Sequence, residues 1–419
     1  MPDPADIQAR VAAWQRTGDL DSLWPDVTGA ELRAAHAGIR SVAEAMLRSP
    51  ERRATLAGAD HGAPRALGVA AFMGGVGPLL GWWIEQGRVD APAAVRDLFA
   101  LHLEHGRRRA ARLQLQLGGI VRALRAAEVE PVILKGLHTG AVYFPAGTRP
   151  CADIDLLVEP GERDRAAGAL VRAGLVERRR TRWANRSEWT PAGPAQEIHS
   201  LELDHADDPW SVDLHVALER WYARGLRRDL GEPRTTTFGG DALRGLAQPH
   251  LTAFLALHAS HDLVKVRIVR LVELALVTSA DGASGRLDWG ELERLLRETR
   301  TERFVWPALT LAHDLAPASV PADLLARLGR GSSARTRRVM DAVRAADFAP
   351  LRHRSLDARL MWADGPVELL LGASELIWSS DDGLPLAPLA MHGRRLRALV
   401  SGHAGWRARA TPRGAPPAS

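Results

Sequence analysis

The stretch VILKGLHTGAVYFPAGTRPCADIDLLVE, Val132 to Glu159, limits the folds open to this chain more than any other. It reads as a short buried strand at Val132 to Leu134, a Lys-Gly step, a helical turn or two, a loop, and a second apolar strand at Ile154 to Val158. Side chains alternate across a strand, so Asp153 and Asp155 share one face while Ile154, Leu156 and Val158 take the other. Two like charges that close repel, and each resists ionisation unless a cation sits between them. A divalent metal removes the conflict.

A third carboxylate is available on SVDLHVAL, where Asp213 lies between Val212 and Leu214 and His215 shares its face. If this strand lies beside the Asp153/Asp155 strand, three carboxylates converge on one end of a sheet. Such a set can hold two magnesium ions, the arrangement that drives in-line displacement at phosphorus. Oxygen ligands suit Mg2+ or Mn2+ and argue against zinc. Lys135 and Gly136 stand at a strand end, where glycine lets backbone approach a phosphate and lysine adds a point charge. Lys135 is one of two lysines, Lys265 being the other, against 53 arginines. Arg149, four residues before Asp153, could clamp a phosphate bidentately.

Singly these signals are common: a D-x-D is most often a pair of solvated loop acids, and K-G most often a turn. The ordered set is far more specific, and it resembles the uncharacterised nucleotidyltransferase family of the DNA polymerase β-like superfamily. The likeness is close from about Arg109 to Leu218 and looser through the flanks, including RIVRLVELAL at 267–276. There Glu273 stands where the resemblance leads one to expect aspartate. The resemblance implies metal binding by Asp153, Asp155 and Asp213, and sets Lys135, Gly136 and Arg149 toward the triphosphate; His215, on the face of Asp213, is a further candidate for the nucleotide site, a core histidine being the alternative. It implies an α+β fold: a small mixed β-sheet core, polymerase β-like, flanked by N- and C-terminal helical regions. It also implies transfer of a nucleoside monophosphate from an NTP, with two Mg2+ (or Mn2+) ions and release of pyrophosphate. The acceptor stays open among a peptide or protein, a small metabolite and an RNA end. Two rival readings are a non-catalytic nucleotide- or RNA-binding module of the same fold, and a phosphotransferase using the same metals.

The rest of the chain sets the frame. With 419 residues, 46% hydrophobic and 25% charged, it is long enough for two or three packed units of ordinary globular composition. A formal charge of +5 does not demand nucleic acid as a partner. The single cysteine, Cys151, excludes an intrachain disulfide. The polar, acidic N-terminus does not read as a secretory signal, and a cytoplasmic location is expected. Ala66 to Ile84 is uncharged over nineteen residues but broken by glycines and Pro78, so two buried helices are expected there rather than a membrane span.

Four regions are expected: helices over 1–105, the nucleotidyltransferase core over 106–240, helices over 241–403 and a disordered tail over 404–419. The arginines of GRRRAARLQLQLGGIVRALR are expected on the solvated face of a helix from His105 to Leu124. Strands are expected at Leu175 to Arg179, Glu197 to Leu203 and Ser211 to Leu218, the last two as a hairpin about HADDP. Residues 330–338 read as a linker, and a helix is expected over Val367 to Ile377. His199, His205 and Asp207 are expected to be solvated. Trp210, Trp221 and Tyr222 lie near enough to stack on a base.

Overall fold

The structure, a computed structural model, describes residues 4–17, 20–49, 51–56, 63–180, 185–194, 197–218, 234–238, 241–261 and 263–349, with 361, 362 and 370. Helices α1 (Pro4–Thr17) and α2 (Gly29–Arg48) come first. A capping box starts α2: the Thr28 hydroxyl accepts the Glu31 N–H, and the Glu31 carboxylate accepts the Thr28 N–H. Strand β1 (Ala54–Thr55), helices α3 (Pro64–Gly74) and α4 (Gly77–Glu85), and strand β2 (Val89–Asp90) follow, β2 pairing parallel with β1. Helices α3 and α4 are the uncharged stretch, bent by 117° about Gly75, whose φ of +70° glycine adopts without strain. Both are largely buried. Among the described residues no single helix is long and apolar enough to cross a membrane.

Helix α5 (Ala93–Arg125) runs through residue 105 without a break. Its first half takes α4 so closely that a Cβ on Gly81 would lie 2.2 Å from the Phe99 carbonyl oxygen. Its second half lies on the sheet. That sheet gathers β3 (Val132–Ile133), β4 (Asp153–Leu157), β5 (Leu175–Arg180), β6 (Arg186–Pro191), β7 (Ser211–His215), β8 (Arg234–Phe238) and β9 (Asp241–Gly245), with helices α6 (Leu137–Tyr143) and α7 (Arg163–Arg172) on either side of β4 in sequence. The strand order is β5-β6-β7-β4-β3-β9-β8. Pairs β4–β7 and β3–β9 are parallel and the other neighbours antiparallel, so the sheet is mixed.

Ile154, Leu156, Val212, Leu214 and Leu243 form one core with Leu113, Leu117, Ile120 and Leu124 of α5 and Ala166, Ala169 and Leu170 of α7. Alternation then sends Asp155 and Asp213 to the opposite face. On that side Val132, Leu134 and Leu157 join a larger core built by helices from both ends of the chain. Those from the C-terminal side are α8 (His250–His261), α9 (Ile268–Ala283), α10 (Trp289–Thr299), α11 (Glu302–Leu315), α12 (Ala322–Leu328) and α13 (Ala334–Ala345). Ile39, Val42 and Leu67 from the N-terminal side belong to the same cluster as Leu271, Leu309 and Val339. The fold is α+β, a mixed sheet with helical flanks.

Some local expectations are corrected. Glu197 to Leu203 is not a strand; the antiparallel neighbour of β7 is β6. Strands β8 and β9 add to those expected from the sequence. Residues 330–338 are not a linker throughout, because the Ser333 hydroxyl accepts the Thr336 N–H and starts α13. Val367 to Ile377 (Leu370 apart), the 404–419 tail, Trp221 and Tyr222 lie outside the described residues.

Candidate active site

Strands β4 and β7 run parallel with Asp155 directly opposite Asp213 and Asp153 opposite Ser211. Asp155 and Asp213 are buried, whereas the Asp153 side chain is 35% exposed at the open end of the strand. His215, two residues past Asp213, reaches diagonally to place Nε2 3.3 Å from Asp155 Oδ1. The sequence-derived residues Asp155, Asp213 and His215 therefore meet, each offering one ligand atom, with all three atoms within 4.8 Å of one another.

The Lys-Gly step delivers a cation to this group. Gly136 adopts φ +60° and ψ −91°, a combination an L side chain resists, and this turns the chain from β3 into α6. Lys135 sits just before the turn, with Nζ 2.6 Å from Asp155 Oδ2 and 3.6 Å from Asp153 Oδ2. Burial works against its ammonium, but the two carboxylates outweigh burial and raise its pKa. Burial likewise opposes ionisation of Asp155, yet Lys135 and the His215 hydrogen bond hold that carboxyl well below the usual range. Asp213 goes the other way: burial and the neighbouring Asp155 push it up to about 7, against the pull of Arg186. Burial lowers the His215 pKa.

Arg186 was missed by sequence reasoning. It lies on β6 across from His215 and donates through Nη2 to Asp213 Oδ2 at 2.8 Å. Glu188, on the same strand, is the register partner of Asp213. The signal was the alternation in RSEWT, which places Arg186 and Glu188 on one face and Ser187 and Trp189 on the other.

Arg149 is engaged by protein. Its Nε and Nη2 donate to the two oxygens of Glu273 on α9, at 3.2 and 2.9 Å, and Nη1 donates to the Pro150 carbonyl. The Thr139 hydroxyl also donates to Glu273. This buried group ties the loop ahead of β4 to the C-terminal helices. Cys151, next in the loop, is pushed up to about 12 by burial, so its thiol stays protonated.

The loop ahead of β7 is held from α5. Arg109 is buried, contrary to the expectation of a solvated arginine face, and donates to the carbonyls of Cys151, His205, Asp208 and Pro209. Arg112 donates to those of Ala206 and Asp208. His205, expected to be solvated, stacks on His199 and packs at a tilt against His105, at centroid distances of 5.0 and 4.3 Å. His199, His205 and Asp208 form a second group of potential ligands within 4.8 Å of one another. Loop closure accounts for much of it: Asp208 accepts the N–H groups of His199 and His205, and His205 Nδ1 accepts that of Asp207. Trp210 is buried in the sheet core and so offers no face to a base.

The carboxylate group fits a divalent cation. Asp213 Oδ1 is buried with no hydrogen-bond partner in the structure. Leaving such an acceptor unmatched costs about 1–3 kcal/mol, which a cation shared with Asp155 would recover. Carboxylate oxygens are hard donors of the kind Mg2+ and Mn2+ prefer.

Comparison with known proteins agrees with the sequence reading. No curated protein matches the chain. The solution structure of antibiotic-resistance factor ANT(2'')-Ia is similar over 49% of this chain and 98% of that one, at 15% identity and a TM-score of 0.31, too slight a likeness to carry an argument. The profile of a family described as uncharacterised nucleotidyltransferase matches residues 64–317, which takes in the sheet, both carboxylate strands and α9. The chain belongs to that uncharacterised nucleotidyltransferase family.

Proposed function

We propose that this protein transfers a nucleoside monophosphate from an NTP to a hydroxyl acceptor, releasing pyrophosphate, with Asp153, Asp155 and Asp213 holding Mg2+ or Mn2+. The observation that carries the reading is the pairing of Asp155 with Asp213 across parallel strands, with one Asp213 oxygen buried and unmatched. Bound there, the metal would neutralise the phosphates and lower the pKa of the acceptor hydroxyl. Gly136 keeps the backbone close to the carboxylate face by its turn, and Lys135 supplies a mobile cation within reach of the phosphates. His215 and Arg186 orient Asp155 and Asp213 from the strand side. Arg149 holds the loop leading to Asp153; contact with a phosphate requires it to give up part of its grip on Glu273. The core, which runs past residue 240 to take in β9, carries the chemistry and the helical flanks shape the acceptor pocket. The acceptor is a peptide, a protein or a small metabolite in preference to nucleic acid.

The test is incubation of the protein with each labelled NTP, Mg2+ and a panel of peptide and small-molecule hydroxyl acceptors. Pyrophosphate and an acceptor heavier by one nucleoside monophosphate are expected. Release of a nucleoside diphosphate instead would make the protein a phosphotransferase. Undiminished turnover in Asp153→Ala/Asp155→Ala would remove the carboxylates from the chemistry.

A further inference from the structure

We propose that Lys135 is the resident counter-ion of the carboxylate site: it holds oxygens of Asp153 and Asp155 that a divalent metal would use, sets the metal affinity, and has to be displaced from them before the site can load. This rests on the metal-binding reading of Asp153 and Asp155 and goes beyond the phosphate-facing role that its position beside Gly136 suggests.

The geometry makes the lysine a competitor. Its Nζ lies between Asp155 Oδ2, at 2.6 Å, and Asp153 Oδ2, at 3.6 Å. A metal ion ligated by those same oxygens would sit a few ångströms from the ammonium, and two cations so close in a buried site repel strongly. The metal and the ammonium therefore compete for the same oxygens. Arg186 pairs with Asp213 across the sheet, as Lys135 does with Asp155 and Asp153.

Residue type fits the role. In a chain with 53 arginines, this position is lysine. Arginine would grip a carboxylate through a rigid two-pronged fork, whereas lysine is a point charge on a flexible four-carbon stem that can swing away. The Gly136 turn fixes the base of that stem at the end of β3, so the ammonium can move while the backbone stays.

The experiment compares wild type, Lys135→Met, Lys135→Arg and Asp153→Ala/Asp155→Ala, titrated with Mn2+ alone, without nucleotide, and read by the electron paramagnetic resonance of free Mn2+. Thermal unfolding is recorded in parallel in EDTA and across the same Mn2+ range. Lys135→Met is expected to bind Mn2+ about ten-fold more tightly than wild type or better, the competing charge being gone. It is also expected to unfold at lower temperature in EDTA and to gain more from Mn2+ than wild type does. Lys135→Arg, which keeps the charge, is expected to bind no better than wild type. If Lys135→Met is unfolded in EDTA, circular dichroism should show Mn2+ refolding it, and failure to refold overturns the proposal. Equal or weaker Mn2+ binding by Lys135→Met, with wild-type binding still dependent on Asp153 and Asp155, overturns this inference alone. Mn2+ binding that is the same in Asp153→Ala/Asp155→Ala, or absent from every variant, overturns the metal-site reading with it.

Discussion

Glu273→Ala cuts the buried contact that ties the Asp153 loop to the C-terminal helices. The side chains of Glu273 and Arg149 are 2% and 11% exposed, so the change strands a guanidinium away from water. Two hydrogen bonds from Arg149 and one from Thr139 are lost together. Removing one partner of a buried ion pair costs about 3–5 kcal/mol, a large part of the roughly 5–15 kcal/mol that holds a typical domain folded. Glu273→Gln keeps the shape and one acceptor oxygen, and should cost about 1–3 kcal/mol. Replacing both partners with methionine removes the stranded charge, so Arg149→Met/Glu273→Met should be more stable than Glu273→Ala. The assay is urea unfolding followed by circular dichroism, with midpoint and slope compared across the four proteins. A loss below about 1 kcal/mol for Glu273→Ala, the worth of a surface ion pair, would refute the reasoning.

Two further expectations concern the turn and the response to acid. Gly136→Ala forces an L residue to φ +60° and sets a Cβ 3.2 Å from the Cys151 sulfur; a loss of about 1–3 kcal/mol in urea unfolding is expected, and an unchanged midpoint would show that the turn carries no strain. His102 is fully enclosed with neither ring nitrogen partnered, and burial drives its pKa down to about 3; burial also takes His138 to about 4. Both stay neutral in the folded protein while the unfolded chain takes up protons near pH 6.5. Their contribution is therefore fully present above pH 6.5 and is lost as pH falls toward 4, at up to about 1.4 kcal/mol per pH unit for each histidine. Urea midpoints at pH 8, 6 and 5 should fall in that order with a shallower fall in His102→Met, and equal slopes in the two proteins would contradict it.

The central unit was legible because its signals are local. Alternation in DIDLL and SVDLH fixes which side chains share a face, and the unusual backbone at Gly136 leaves a glycine in the sequence. Glu197 to Leu203 misled because its last residues, Leu201, Glu202 and Leu203, alternate, although Ser200 breaks the pattern before them. There the backbone donors are claimed by side chains, Ser200 taking the N–H groups of Glu202 and Leu203 and Asp208 those of His199 and His205, which leaves no ladder to form. The Gly-Gly pair between RTTTF and DALRG in the sequence is a local cue for the antiparallel pairing of β8 and β9. The Arg149–Glu273 and Arg109–Asp208 contacts span 124 and 99 residues. No periodicity encodes such meetings, which exist only once the helices have packed.

Crystals grown with Mn2+ and a non-hydrolysable NTP analogue test the central claim most directly, because manganese is located by its anomalous scattering. The account predicts a peak bonded to carboxylate oxygens of Asp155 and Asp213, with Asp153 turned toward it and Lys135 moved off Asp155. Manganese bound elsewhere, with Lys135 still seated between Asp153 and Asp155 and the Asp213 oxygen still unmatched, would contradict it.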